Sequence, residues 1–561
     1  MHHQNVNKKI WRKKHDEREE LAEETGCAGH DCHYGIVCGS GNGGGNSASA
    51  GVPIPEGLWD PYEQEVVLTT VVEDNSGTDF QNGDTWDDNT WYRAYKDRFN
   101  IQVKNLWVSN DYSTKLNLSI ADKDIPDVFH VDAKQLEQLE KSGLIMDLTE
   151  VFDKYASDNL KSYMEQEKDT YETGCYDGKL YGIPQLNYGI IDQFQYVWIR
   201  KDWKDQLGLA DPQSMDDVAK IAKAFVENFD ECEYGLAEYQ SLDNMNRLAL
   251  GFGAHAGTGV WLEQEDGTIE YGAIQPEMKE MLALYAQWYA DSVINPNFAT
   301  TKYEKMCEDL INGKCGMVPF AQWFGYNPGP NIVDNLGPEA IFEPYPIPSA
   351  NGQEVKGTVS FGNRGYIVIS NKCKNPEAAI KLINFWCYMM DDAAGKEDPE
   401  FISSLYDYNY PNIPFGLCVI NPNTDYNQYI QVTETLARGL DEDTTALGSN
   451  ASKYNSCVDW LRNQDSSGVG DFLQQGNDKS AYGIAKEYVD NEIYVKNAVW
   501  GMDTPLMQSY GSTLYDQLTV GFTEIILGNQ PIDYFDTLVQ NWKDAGGDQV
   551  TAEVNEIYGN K

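Results

Sequence analysis

Residues 101–145 read IQVKNLWVSNDYSTKLNLSIADKDIPDVFHVDAKQLEQLEKSGLI. The pattern gives a strand over 101–108, a helix over 112–121, a short strand over 127–131 and a helix over 134–145. Upstream, VVLTTVV (66–72) is a buried-strand pattern. A polar loop follows over 73–90, and then a helix with Trp91, Tyr95 and Phe99 on one face. Strand and helix alternate throughout. That rhythm implies an α/β fold with a mostly parallel sheet covered by helices on both faces.

Further along, CYDGKLYGIPQLNYG (175–189) reads as a turn and a strand, and 197–200 as a strand. Ser214 caps a helix that has an Asp at its third position. More helices fill 216–310, strands return at 314–320 and 365–369, and 375–390 is a long helix. At the far end, LYDQLTVGFTEIILGNQPIDYFDTLVQNWKDAGGDQVTAEVNEIY (514–558) encodes three helices. Gly528 with Pro531 breaks the first, and Gly546-Gly547 ends the second.

The composition narrows the partners. A formal charge of −46 on 561 residues argues against nucleic acid or an anionic membrane face. The acids are dispersed, as on a solvated surface. Five of the seven histidines precede Cys38, so only His130 and His255 remain in the body as bases or metal ligands. The eleven cysteines include no CxxC pair, and their pairing stays open. The many Tyr, Trp and Phe residues suit a carbohydrate ligand, because sugar faces stack on rings.

Residues 1–37 hold no apolar run of signal-peptide length. From Cys38, CGSGNGGGNSASAG is a flexible tether. Mature bacterial lipoproteins begin this way, although Gly35-Ile36-Val37 is no lipobox. The expectation is that 1–37 are an atypical N-terminus, a signal peptide written in a shifted frame. Cys38 is then the lipid anchor, carrying several acyl chains, and 38–59 the tether.

Several stretches, in order, carry a resemblance. They are 125–155, TYETGCYDGKLYGIPQLN (170–187), 197–225, LINGKCGMVPFAQWF (310–324), RGYIVISNKCKNPEAAIKLINFW (364–386) and the tail. Together they resemble the extracellular solute-binding protein family 1 of carbohydrate ABC importers. The resemblance implies a two-lobed, periplasmic-binding-protein-like fold of type II, with hinge-linked lobes and a helical C-terminal tail. It implies lobe one at 60–190 and 315–370, lobe two at 191–314 and 371–510, and a tail at 511–561 against the hinge. It also implies an oligosaccharide ligand, a partner permease of the ABC type and an extracytoplasmic location with a lipid anchor as the only membrane attachment. Neither a cofactor nor nucleic acid is implied. Long members carry a calcium loop where this chain reads ENFDECEYGLAEY (227–239). Asp230, Glu231 and Glu233 lack its spacing, and the runs 74–79 and 83–88 are also wrongly spaced, so no metal is expected.

Ligand-facing candidates follow from strand ends that face an interlobe cleft. Trp86 lies on the loop after the first strand. His130 and Asp132 end the third strand, where Asp132 takes paired hydroxyls or caps the next helix. Asn187 and Tyr188 lie at the lobe crossing, and Trp261 in the Gly-rich loop GTGVWLEQ. Gln322 and Trp323 follow GMVPF, and Asn363 and Arg364 precede a strand. Arg364 can hold a sugar hydroxyl, a uronate carboxylate or an interlobe salt bridge. Trp500 and Asp503 belong to a loop of lobe two. The rival readings are a peptide or other solute binder on the same fold, and a secreted glycan-active enzyme needing two carboxylates across a cleft.

Overall fold

The computed structural model describes residues 52–559 except 75–79, 81–82, 188, 392, 394–395, 407–416, 449 and 502. Cys38 and its tether as far as residue 51, with Tyr188, therefore lie outside the described residues. Asn89 accepts a hydrogen bond from the Tyr92 amide and starts the helix Thr90–Phe99. Asn100, at φ 56°, ends it in the left-handed conformation. Strand Ile101–Ser109 then runs parallel to Val66–Glu73. The apolar face of the helix buries Trp91 completely. Its indole N–H donates to the Leu405 carbonyl at 3.2 Å, and its ring stacks on Trp386, 5.4 Å away. Truncating such a ring costs about 3–5 kcal/mol.

The next sheet of this lobe departs from expectation. Strand Asn363–Ile369 lies antiparallel between Val128–Val131 and Ile183–Leu186. Its direction is reversed because the chain re-enters from the other lobe, so the parallel arrangement of a βαβ unit, kept by the first strand pair, is lost in this sheet.

The second lobe is built on Gln195–Arg200, antiparallel to both Met317–Ala321 and Phe342–Pro346. Five of its six residues are buried, as a central strand covered on both faces requires. These pairings correct the expected division. Residues 315–346 belong to the second lobe, because both returning strands use Gln195–Arg200 as their template. The helix Pro376–Asp391 belongs to the first lobe, where Phe385 and Trp386 meet Trp91. The tail helices Pro505–Ile526, Tyr534–Trp542 and Asp548–Tyr558 complete the second lobe's core, with Tyr515 reaching the lobe crossing. Trp542 stacks flat on Tyr271 at 5.2 Å. Gly546, at φ 127°, supplies the bend between the last two helices.

Among the described residues, three segments cross between the lobes, near 187–195, 347–363 and 417–424. The first two are tied by paired hydrogen bonds: Gln193 Nε2 donates to the Ser360 carbonyl at 3.1 Å, and the Ser360 amide donates to Gln193 Oε1 at 2.7 Å. The third crosses so closely that a Cβ on Gly189 would lie 1.9 Å from the Pro422 carbonyl oxygen.

Candidate functional site

A cavity of about 370 Å³ opens at this crossing, on the side of the second lobe. Gln193, Gln195, Thr358 and Ser360 come from the crossing segments. Asp243, Asn246 and Arg247 come from the helix Asp243–Ala249, Thr258 from a loop and Tyr515 from the tail. Asn246 Nδ2 donates to the Tyr515 hydroxyl at 3.0 Å, while Asn246 Oδ1 is buried without a partner. A smaller cavity shares Gln193 and Ser360 and is completed by Glu167, Asn187 and Trp500. Asn187 Oδ1 is likewise buried without a partner. Neutral amides and hydroxyls dominate these walls. They are donors and acceptors suited to a hydroxyl-rich neutral surface.

Beneath the crossing lies a pair of acids. Asp192 accepts from the Tyr482 hydroxyl at 2.5 Å and from Gln322 Nε2 at 3.1 Å. Asp425, at the start of the helix Thr424–Arg438, is pushed up to about 8 by burial and then by the Asp192 carboxylate beside it. The Asp425 carboxyl therefore favours its protonated form at neutral pH. Elsewhere in the second lobe, burial raises Glu238 to about 7 although it accepts from Tyr285 and two backbone amides.

The expected ligand residues separate into groups. Asn187 and Trp500 line the smaller cavity. Trp500 also bridges the lobes: its indole N–H donates to Thr170 Oγ1 at 3.3 Å, and Lys496 lies 3.8 Å above its ring. Lys496 pairs with Asp169 of the first lobe. Trp323 is 37% exposed, supported edge-on by Phe320 at 4.4 Å. His130 Nε2 lies 2.9 Å from the Arg364 carbonyl oxygen, which places both at the crossing end of the first lobe's sheet. Burial lowers the His130 imidazolium below its usual range.

The remaining candidates do other work. Trp261 is corrected to core: it is 2% exposed and packs 5.0 Å from Tyr271. Its short hairpin with Ile269–Tyr271 turns the indole under the tail helices. Gln322 is buried, donating to Asp192 and accepting from Gln474. Asp132 caps the helix Ala133–Lys141 in a reciprocal capping box with Gln135. Asn363 accepts from the Gly365 amide at 3.1 Å and shapes the turn. Trp86 is half-buried, edge-on to Phe80 at 5.2 Å. Asp503 is exposed ahead of the last long helix and lines neither cavity at the crossing. In the expected-empty calcium position, Glu233 pairs with Lys314 at 2.7 Å. Among the described residues no three His, Cys, Asp or Glu side chains gather to hold a metal ion, and no helix is long and apolar enough to cross a membrane.

Sequence reasoning missed Arg247, Gln193, Gln195, Asn246, Thr258 and Tyr515. One signal was present: in DNMNRLALGF (243–252) Arg247 is the only cation, one turn after Asp243.

Residues 79–386 match the family described as bacterial extracellular solute-binding protein. The polygalacturonan/rhamnogalacturonan-binding protein YtcQ of Bacillus subtilis is 23% identical over 82% of this chain and 86% of its own. The fructooligosaccharide ABC transporter substrate-binding protein FusA of Streptococcus pneumoniae is 28% identical over 33% of this chain, and that alignment spans only 38% of its length. A solved HMO-binding solute-binding protein from Bifidobacterium longum infantis superposes with a TM-score of 0.58 at 16% identity, covering 89% of this chain and all of the other.

Proposed function

The chain belongs to the bacterial extracellular solute-binding proteins, and on that premise we propose that it is the capture subunit of an ABC importer for oligosaccharides. The ligand sits at the lobe crossing and is released to a membrane permease. The observation that carries this reading is the cavity at the crossing, to which the crossing segments themselves contribute the amides of Gln193 and Gln195 and the hydroxyls of Thr358 and Ser360. A ligand held by hinge residues interacts differently with open and closed lobes, and only such a difference can drive closure. Asn187, Trp323, Arg364 and Trp500 are the sequence-derived candidates retained as ligand-facing, with the hinge-cavity residues added. Trp86 and His130 support them from the first lobe.

The protein binds without catalysis and works outside the cytoplasm. It is tethered through a lipid on Cys38, and a lipidated peptide beginning at Cys38, found by mass spectrometry of material from the native host, would support that anchor. An intact Met1 in a soluble cytosolic fraction would refute it. The functional reading is tested by incubating the purified chain with oligosaccharides of differing composition and analysing what is recovered. Stoichiometric retention of intact sugar supports capture. Cleaved sugar supports an enzyme, and binding of peptides alone overturns the carbohydrate assignment.

A further inference from the structure

This chain has 88 acidic and 42 basic side chains, and most of its described arginines are paired with acids. Arg93, Arg98, Arg200, Arg438 and Arg462 each pair with a carboxylate. Arg247 does not: among the described residues no carboxylate oxygen lies within 4.0 Å of its guanidinium. It is held by neutral groups instead. Its Nε donates to Gln195 Oε1 at 3.0 Å, its Nη1 donates to Asn244 Oδ1 at 2.7 Å, and its plane lies 5.0 Å over the Phe320 ring. These contacts fix the orientation of the fork without neutralising it. Nη2 has no hydrogen-bond partner among the described residues. The side chain is half-buried in the wall of the hinge cavity, where Asn246 Oδ1 also waits without a donor.

Resting on the oligosaccharide reading above, we propose that Arg247 is a specificity-determining residue that recognises a carboxylate, and that the sugar captured is a uronate-containing oligosaccharide. A planar guanidinium presents parallel N–H groups that match a carboxylate, and a charge-assisted pair is stronger than a hydroxyl contact. Asp243 occupies the same wall one turn earlier. Its carboxylate accepts from the Tyr239 hydroxyl, and it keeps the ligand's carboxylate on the Arg247 side while accepting from sugar hydroxyls. The large negative charge of the whole chain does not forbid an anionic ligand, because charges beyond about 8 Å are largely screened at physiological salt.

The test uses calorimetry with oligogalacturonates, oligoglucuronates and oligomannuronates of three to five sugars, each beside its methyl ester. Esterification keeps the sugar's shape and removes its charge. At least one acid form is expected to bind tenfold or more tightly than its ester, and Arg247→Gln should bring that ratio close to one. Should Arg247→Gln fail to fold, Arg247→Lys keeps the charge, loses the fork and should lower the ratio several-fold. An ester bound as tightly as its acid, or a ratio unchanged in a folded variant, overturns the proposal. Binding confined to neutral oligosaccharides also overturns it and leaves the capture reading standing. If no oligosaccharide of any kind binds, both readings fall.

Discussion

Asp425→Asn probes the acid pair beneath the hinge. Asp425 is held well above the usual carboxylate range, at about 8, by burial and by Asp192. Lys453 tempers this from the neighbouring helix, and Tyr482 donates into the pair. In the unfolded chain the carboxyl ionises near its ordinary value of 3.8. Between these two values the folded state binds the extra proton, so stability falls as pH rises through this window and levels off above it. The slope is at most about 1.4 kcal/mol per pH unit for one proton. From pH 6 to pH 8 that gives roughly 2.5 kcal/mol. For a cooperative unit of roughly 300 residues, with an unfolding entropy of about 2.1 cal/mol/K per residue, it corresponds to about 4 °C. An asparagine keeps the shape, donates to Asp192 and cannot titrate. Melting temperatures of wild type and variant, measured in parallel from pH 5 to pH 9, isolate the effect, since Glu238 titrates equally in both. The wild-type curve should drop about 4 °C more than the variant curve between pH 6 and pH 8. Parallel curves would refute the raised Asp425 carboxyl.

Gly189→Ala places a methyl group 1.9 Å from the Pro422 carbonyl oxygen at a backbone of φ 88° and ψ −174°, which is essentially a glycine conformation. Strain and overlap together should cost about 3 kcal/mol or more, and an unchanged melting temperature would contradict the described crossing. Trp323→Ala should weaken oligosaccharide affinity by about 1–3 kcal/mol with the fold intact, because the ring is exposed and backed by Phe320; unchanged affinity would remove it from the site. Trp261→Ala should do the reverse, lowering stability by about 3–5 kcal/mol through a cavity beneath the tail while leaving affinity per folded molecule within about twofold.

Local elements were legible wherever a period was complete. The helix Thr90–Phe99 and the strands on either side of it lie where the pattern puts them, and Gly528 and Gly546 end the helices they were expected to end. Strand direction was not legible, because Asn363–Ile369 is oriented by a crossover from the other lobe and not by its neighbours in sequence. The lobe to which Pro376–Asp391 belongs was hidden for a related reason: it is buried on nearly every side, so no single stripe names its partner. Trp261 misled because a ring in a Gly-rich segment resembles an exposed one, whereas here it packs on Tyr271 within a core completed by the tail, more than 200 residues later. Arg247 was passed over because a lone arginine on a short helix ordinarily reaches solvent.

Hydrogen–deuterium exchange, with and without the oligosaccharide that binds most tightly, tests ligand capture at the lobe crossing most directly. Protection should converge on 187–193, 243–258 and 358–362, joining segments of both lobes at the cavity shared by Gln193 and Ser360. Protection confined to one lobe away from these segments, or centred on the outer groove of Trp59, Phe99 and Tyr388, would contradict it.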